Sequence, residues 1–140
     1  MHIIPMCLIS IIITAVFTTH LYSETYQGEL SLDGATMDRP YVRKLGGGVM
    51  VNWYVADFFG KPTLFSGATV RNNGNKPMGL SYHVAFFDKN SNLIGAGSQE
   101  FSGDNALKPG ESTQLGSCMM TLPKDQLSKI ASYQVAIYEH

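Results

Sequence analysis

After Glu24, large apolar residues fall on every second position over several stretches of the chain. The alternation is clear in Val49–Val55, in Leu80–Phe86 and in Tyr133–Ile137. A spacing of two is that of a β-strand with one face buried, because successive side chains of a strand point to opposite sides. Stretches with helical spacing are nearly absent, so the pattern predicts a protein made mostly of strands.

The alternating stretches predict six strands separated by turn-forming residues. They are Val49–Ala56, Thr63–Arg71, Leu80–Phe86, Leu93–Phe101, Ser112–Leu122 and Tyr133–Ile137. A seventh strand is expected in either Glu29–Leu32 or Tyr41–Arg43. Short strands at this spacing favour an antiparallel sandwich or barrel over alternating strand and helix units.

Gly, Pro and Asn mark the turns between these strands. Gly60-Lys61-Pro62 is one turn candidate, and Asn72–Asn75 contains an Asn-Gly pair that tolerates the positive φ of a tight hairpin. Asp88–Asn92 is a polar turn, and Pro109-Gly110 fits the centre of a type II turn.

One short helical segment is expected before the last strand. Leu127 and Ile130 lie three residues apart after Pro123, which is helical spacing over one or two turns. Pro123 has no amide hydrogen to donate and should end the preceding strand. We therefore expect a brief helical connector in an otherwise all-β domain.

Composition indicates one folded domain with no global charge bias. The chain has 140 residues, of which 44% are hydrophobic and 15% charged, and its formal net charge is -1. One ordinary domain takes roughly 150 residues. A net charge so near zero gives no electrostatic footprint for nucleic acid or anionic lipid, so any such surface would have to be local.

The first 23 residues have the layout of a secretory signal peptide. They contain no Lys, Arg, Asp or Glu, and the apolar run of residues 3–17 is followed by the polar Thr18-Thr19-His20. The run is shorter than the roughly 18 to 20 apolar residues of a membrane-spanning helix, so a retained anchor is the weaker alternative. Cleavage after Ser23 would leave one domain of residues 24–140, exported to the periplasm or secreted, with Cys118 as its one cysteine and no stable membrane span.

From about residue 65 to residue 115, the chain resembles the FxLYD-type domain, an immunoglobulin-like β-sandwich of exported prokaryotic proteins. The matching pieces are Gly67–Asn72, Val84–Asp88, Leu93–Gly95 and Leu107–Glu111. In the motif that names the family, Val84, Phe86 and Phe87 stand for the first aromatic residue, the leucine and the tyrosine, and Asp88 is retained. The resemblance implies an immunoglobulin-like sandwich of about seven strands that serves as a non-catalytic accessory or interaction domain.

No constellation of catalytic residues is visible. After residue 23 the only histidines are His83 and the terminal His140, and no Gly-x-Ser-x-Gly element accompanies them. His83 is expected on the wetter face of its strand. Gly46-Gly47-Gly48 lacks the residues of a phosphate-binding loop and is read as a connector. We expect no enzyme activity and no cofactor.

Copper handling is the alternative from a different functional class. His83, Cys118, Met119 and Met120 are soft ligands of the kind that copper prefers. A blue-copper site needs a second histidine shortly after the cysteine, and none follows Cys118. Cys118 and Met120 are instead expected in the core, on alternate positions of a strand.

A group of aromatic residues is the best candidate for a binding surface. Trp53, Tyr54, Phe58 and Phe59 lie within seven residues, so they cannot all face one side of a strand. Either the two phenylalanines cap the end of the sandwich, or some of the rings are exposed. Exposed aromatic residues are typical interface anchors. We therefore expect Tyr54, Phe58 and Phe59 to contact a partner, and we expect this partner to be another protein of the cell envelope or the extracellular space.

Overall fold

The computed structural model describes residues 23–101 and 106–139. They form eight strands and one short helix, in the order β1 (Ser23–Glu29), β2 (Tyr41–Gly46), β3 (Val49–Phe58), β4 (Lys61–Arg71), β5 (Leu80–Phe87), β6 (Leu93–Phe101), β7 (Ser112–Thr121), α1 (Lys124–Leu127) and β8 (Ser132–Glu139). The proposed signal peptide falls on residues outside this description, apart from Ser23, the first residue of β1.

The strands form two antiparallel sheets of four that pack face to face. One sheet has the order β1-β8-β5-β6 and the other β2-β3-β4-β7. At one side of the molecule the edge strands β6 and β7 lie against each other. The predicted fold class is confirmed: the protein is an all-β sandwich with two layers, as in immunoglobulin-like domains, and a short helix before its last strand.

The N-terminal part of the sandwich differs from the prediction in detail. Tyr41–Arg43 lies in β2, as one of the two alternatives required. The other alternative is wrong, because Glu29 is the last residue of β1 and Leu30–Leu32 lies outside the strands. Strand β1 was not predicted because its sequence, SETYQGE, carries a single large apolar side chain and therefore shows no alternation of apolar and polar positions.

The predicted inward faces do form the core. Val49, Val51 and Trp53 of β3 are buried, and so are the alternating residues of β5 and β8. Trp53 is at the centre of this core, where Tyr41 stacks on its indole with 5.5 Å between ring centroids. Edge-to-face contacts join the same indole to Phe86 and Tyr133. Such ring pairs add roughly 0.5–1.5 kcal/mol each to the burial of the rings themselves.

Arg43 links the two sheets where β1 faces β2. Its guanidinium donates to the carbonyl oxygen of Glu29 at 3.3 Å and to the hydroxyl of Tyr41 at 3.4 Å, and it lies 5.9 Å from the ring centroid of Tyr133. The hydrogen bond to Tyr41 raises the pKa of Arg43, and burial raises the pKa of the Tyr133 phenol. The cation is thus held over the edge of the core.

Two of the turns agree with the sequence patterns. Gly110 has φ +79°, and the amide of Glu111 donates to the carbonyl oxygen of Lys108 at 3.0 Å, which fits the expected type II turn. Gly47 and Gly48 connect β2 to β3 in a two-residue turn with φ of 56° and 81°.

The prediction for Asn73-Gly74 is wrong. This pair does not close a hairpin, because β4 and β5 belong to different sheets, and Gly74 is not among the residues with positive φ. The segment is organised by Asn72, which is 1% exposed and donates to the carbonyl oxygens of Lys76 and Leu107 at 2.8 Å each. The amide of Gly74 in turn donates to the side-chain oxygen of Asn72.

The helical connector is confirmed. Helix α1 carries the chain from β7 in one sheet to β8 in the other, and it buries Leu127 while Ile130 is buried just beyond it. Within residues 23–101 and 106–139, no helix is both long and apolar enough to cross a membrane.

Candidate functional site: an aromatic face on one sheet

The outer surface of the β2-β3-β4-β7 sheet carries a row of large side chains. Tyr54 of β3 is paired with Phe65 of β4, and Phe65 is paired with Met119 of β7. Directly opposed residues of an antiparallel pair share one side of the sheet. The rings of Tyr54 and Phe65 are stacked, with centroids 4.9 Å apart and planes 7° from parallel. This row covers three adjacent strands.

Phe58 and Phe59 extend the row to the end of the β3–β4 hairpin. The ring of Phe58 meets Phe65 edge to face at 6.1 Å between centroids, and Phe59 meets Phe58 edge to face at 4.6 Å. The five residues Tyr54, Phe58, Phe59, Phe65 and Met119 thus form a continuous surface, which we call the aromatic face.

Exposure rises along the aromatic face toward the hairpin tip. Tyr54 and Phe65 are half-buried, Phe58 is 41% exposed and Phe59 is 89% exposed. Met119, at the other side of the row, is 54% exposed. The rings closest to the tip are therefore held by contacts with one another and remain open to solvent.

The tip itself is a two-residue turn with an unusual first residue. Phe58 pairs with Lys61, so Phe59 and Gly60 form the loop, and both have positive φ, 51° and 76°. Such turns favour Asn-Gly, Asp-Gly or Gly-Gly, because a bulky L-residue is strained at positive φ. The backbone amide of Gly60 donates to the carboxylate of Asp57 at 2.8 Å, which helps to hold the turn.

The position of this turn corrects one prediction. Lys61 and Pro62 are the first two residues of β4 and not part of the turn, which lies one residue before the expected Gly60-Lys61-Pro62. The displacement arises because Asp57 and Gly60 together stabilise a loop in which Phe59 occupies the place usually taken by Asn.

All three aromatic residues suggested by the sequence lie on this surface. Tyr54, Phe58 and Phe59 are brought together by Phe65, which sequence reasoning assigned only to a strand. The contribution of Met119 was also missed, because it was considered as a metal ligand. Cross-strand register joins these residues, and no short-range pattern in the sequence reports register.

The candidate copper ligands are spread over different surfaces. His83 is exposed on the outer side of the other sheet, with its ring 5.4 Å from that of Tyr138. Met119 is on the aromatic face, whereas Met120 is buried, as expected. The backbone of Cys118 pairs with Ser66, while its side chain, like His140, lies outside the description. In the residues that the structure describes, no group of three or more His, Cys, Asp or Glu side chains is arranged to hold a metal ion.

The outer surface of the other sheet has a different character. Ala85 pairs with Ala96, and His83 pairs with Ser98 on one side and Ala136 on the other. The small side chains form a shallow surface beside the ring pair of His83 and Tyr138. The two outer sides of the sandwich therefore offer very different contacts to a partner.

Comparison with known proteins gives no family assignment. No protein-family model matches the chain, and no curated protein matches it in sequence. One similar solved structure is the Avr2 effector protein from the fungal plant pathogen Fusarium oxysporum, with 12% identity, a TM-score of 0.38, and coverage of 84% of this chain and 88% of that one. Another is the infectious bursal disease virus Gx strain, with 14% identity, a TM-score of 0.38, and coverage of 85% and 26%. The chain thus spans about a quarter of the viral chain, and similarities this distant indicate no function.

Proposed function

We propose that this protein is an exported β-sandwich that binds another protein of the cell envelope or extracellular space through its aromatic face. It acts by surface contact without catalysis and needs no cofactor. Residues 1–23 direct its export. In this proposal Phe58 and Phe59 are the principal anchors, and Tyr54, Phe65 and Met119 form the surface behind them.

The observation that carries the proposal is the state of Phe59. Its side chain is 89% exposed, so it contributes little to the core, and its backbone has φ 51°, where Asn or Gly would be favoured. Phe at this position therefore stabilises the fold neither by burial of its ring nor by its backbone preference. Strained residues that fold stability does not explain are concentrated at binding and catalytic sites. An aromatic ring at the tip of a rigid hairpin is suited to fill a pocket in a partner.

The surroundings of the aromatic face suit a protein partner with acidic groups at its edge. Lys44, Lys61 and Arg71 are exposed at the margins of the same side of the sheet. The described residues that pair on this side include no Asp or Glu. The local charge is thus positive on a chain of net charge -1, and complementary charge mainly speeds and orients association.

The free edge of the sheet at β2 offers a second kind of contact beside the rings. Strands β2 and β7 are the two edge strands of this sheet, and β7 already lies against β6. Backbone amides and carbonyls at such an edge can pair with an added strand. A partner that covers the aromatic face could extend over the β2 edge.

Co-purification with matched variants tests the proposal. Full-length tagged protein would be produced in its own host with Phe58 and Phe59 both replaced by Ser, and captured proteins would be compared with those of the unchanged chain. Leu93→Ser is the control, since Leu93 is 62% exposed but belongs to the other sheet. We expect the double replacement to abolish capture, while Leu93→Ser retains it. Equal capture by all three proteins would refute the proposed surface.

The export component can be tested separately. Intact mass measurement of the protein recovered from the periplasm or the medium should show a chain that begins at Glu24. Recovery of the whole protein from the cytoplasm with Met1 retained would contradict export and would leave the binding surface untouched.

A further inference from the structure

A cavity of about 1190 Å³ opens at the end of the sandwich beside the β3–β4 hairpin. Its apolar wall comes from β3, from the segment after β1 and from the helical connector, in the side chains of Val55, Leu30, Leu32, Leu127 and Ile130. Leu32 and Val55 are only partly buried, so apolar surface is accessible inside it. Cavities that hold a ligand are commonly about 300–1,000 Å³, and this one is large enough for an aromatic side chain with its neighbours.

The polar rim of the cavity has an excess of negative charge. Four carboxylates, those of Glu29, Asp33, Asp57 and Asp88, line it together with two lysines, Lys89 and Lys124. Asp57 and Asp88 accept hydrogen bonds within their own turns. Among the described residues, no hydrogen bond or ion pair holds the carboxylate of Asp33, and the carboxylate of Glu29 interacts with Arg43 only through its charge. They are therefore available to a cation that enters with an apolar group.

The hairpin tip carries the complementary groups and lies at the same end of the molecule. Asp57 and Pro62, at the base of the tip, are part of the cavity wall. Beyond them the tip presents Phe59, 89% exposed, and the exposed Lys61. An apolar ring next to a cation matches a cavity with an apolar floor and available carboxylates at its rim.

We propose that the cavity receives the hairpin tip of a second copy of this chain, with Phe59 of one copy inside and its Lys61 facing Asp33 and Glu29 of the other. Because tip and cavity are adjacent, one two-fold axis allows both copies to insert at once, as closed dimers require. This inference rests on the proposed function, since it uses the same hairpin, and it names the partner for the tip. The row of Tyr54, Phe65 and Met119 stays outside this contact.

Sedimentation velocity over a wide concentration range tests the association. The purified protein should show a concentration-dependent monomer–dimer equilibrium. Phe59→Ser should weaken it by roughly tenfold or more, the range of a central aromatic anchor. Tyr138→Ser, which shortens an exposed side chain at the end of β8 opposite the cavity-lining Ser132, should leave it unchanged.

A charge exchange between the two sites makes the test specific. Lys61→Glu and Asp33→Lys should each weaken association of the protein with itself. Mixing the two single variants should restore it. In the mixed dimer the carboxylate introduced at position 61 faces the ammonium introduced at position 33 in one contact, and the unchanged Lys61 and Asp33 face each other in the second. Circular dichroism and thermal melting establish that each variant is folded, and a folding defect could not produce recovery in the mixture.

The outcomes separate this inference from the function on which it rests. A protein that stays monomeric at millimolar concentration, or a mixture of variants that fails to associate, would overturn the reciprocal dimer. If capture of a different protein still depended on Phe58 and Phe59, the aromatic face would keep its proposed role. If dimerisation occurred but was indifferent to Phe59→Ser, the dimer would use another surface and the inference would be wrong.

Discussion

The indole nitrogen of Trp53 donates a hydrogen bond to the hydroxyl of Tyr82 at 3.1 Å, deep between the two sheets. The same hydroxyl lies 2.8 Å from the hydroxyl of Ser66. Trp53 and Ser66 belong to β3 and β4 of one sheet, and Tyr82 belongs to β5 of the other. One polar group thus joins the layers at the centre of an apolar core, and all three residues are fully buried.

Replacing Tyr82 by Phe should destabilise the fold although the ring is kept. The change removes the acceptor of the Trp53 indole N–H and the partner of the Ser66 hydroxyl, and a buried polar group left unpaired costs roughly 1–3 kcal/mol. Urea denaturation would measure the loss. Ser66→Ala is the milder comparison, because Tyr82 then still accepts from Trp53. Equal stability of the unchanged and Tyr82→Phe proteins would contradict a structural role for this link.

Asn72 should be hard to replace even though it lies outside the regular strands. Asn72→Ala removes the donor for two carbonyl oxygens and the acceptor for the amide of Gly74, so we expect a loss of roughly 2–4 kcal/mol. The exposed Asn75 in the same segment provides the control, and Asn75→Ala should change stability by less than about 0.5 kcal/mol. Thermal melting of both variants shows whether stability depends on the buried Asn72 side chain itself or on any substitution in this loop.

Stability should depend on pH through the turn between β5 and β6. Asp88 accepts hydrogen bonds from the side chain of Asn92 and from the amides of Asn92 and Asn90, and these lower the pKa of the Asp88 carboxyl. A lowered folded-state pKa adds stability above the unfolded value, roughly 3.9, and that stability is lost as pH falls through the folded value.

Comparison of Asp88→Ala with the unchanged protein by denaturation at several pH values isolates this effect. The difference in free energy of unfolding should be greatest near neutral pH and should shrink below about pH 4. Asp38→Ala, at an exposed position in the β1–β2 connection, serves as the reference. A difference that stayed constant down to about pH 2 would show that the carboxylate form of Asp88 is not what stabilises the turn.

Phe59→Asn should stabilise the protein. Asn tolerates positive φ far better than Phe, and relief of the strained conformation is worth about 1 kcal/mol. The melting temperature should therefore rise, while binding through the aromatic face should be lost. A fall in melting temperature would assign Phe59 to the fold and would remove the main support for a binding role.

Much of the architecture could be predicted because burial imposes a visible period. Val49, Val51 and Trp53 show the inward face of β3 directly, and Leu127 with Ile130 shows the connector before β8. Strand β1 could not be predicted in this way, because it has one large apolar residue and therefore no alternation of apolar and polar positions. It is an edge strand that forms by pairing with β8, and the sequence of β1 alone does not report that pairing. The Asn73-Gly74 pair led to a wrong hairpin prediction, because here the dipeptide lies in the connection from β4 in one sheet to β5 in the other.

For a related reason, only part of the candidate site could be predicted from the sequence. Clustering of Tyr54, Phe58 and Phe59 within six residues is visible in the sequence, and it pointed to the right hairpin. That Phe65 and Met119 join them follows from the register of β4 with β3 and β7, which is a property of the folded sheet. The end cavity is lined by residues that lie far apart in the chain, so no local sequence pattern could predict it.

Site-specific photo-crosslinking tests the central claim most directly. A photoreactive amino acid would be placed at position 59 of the full-length protein and, in a parallel sample, at the exposed position 138 of the other sheet, and both would be irradiated in the producing cells. The account predicts a discrete crosslinked product from position 59, either with another protein or with a second copy, and none from position 138. No product from position 59, or identical products from both positions, would contradict a binding role for the aromatic face.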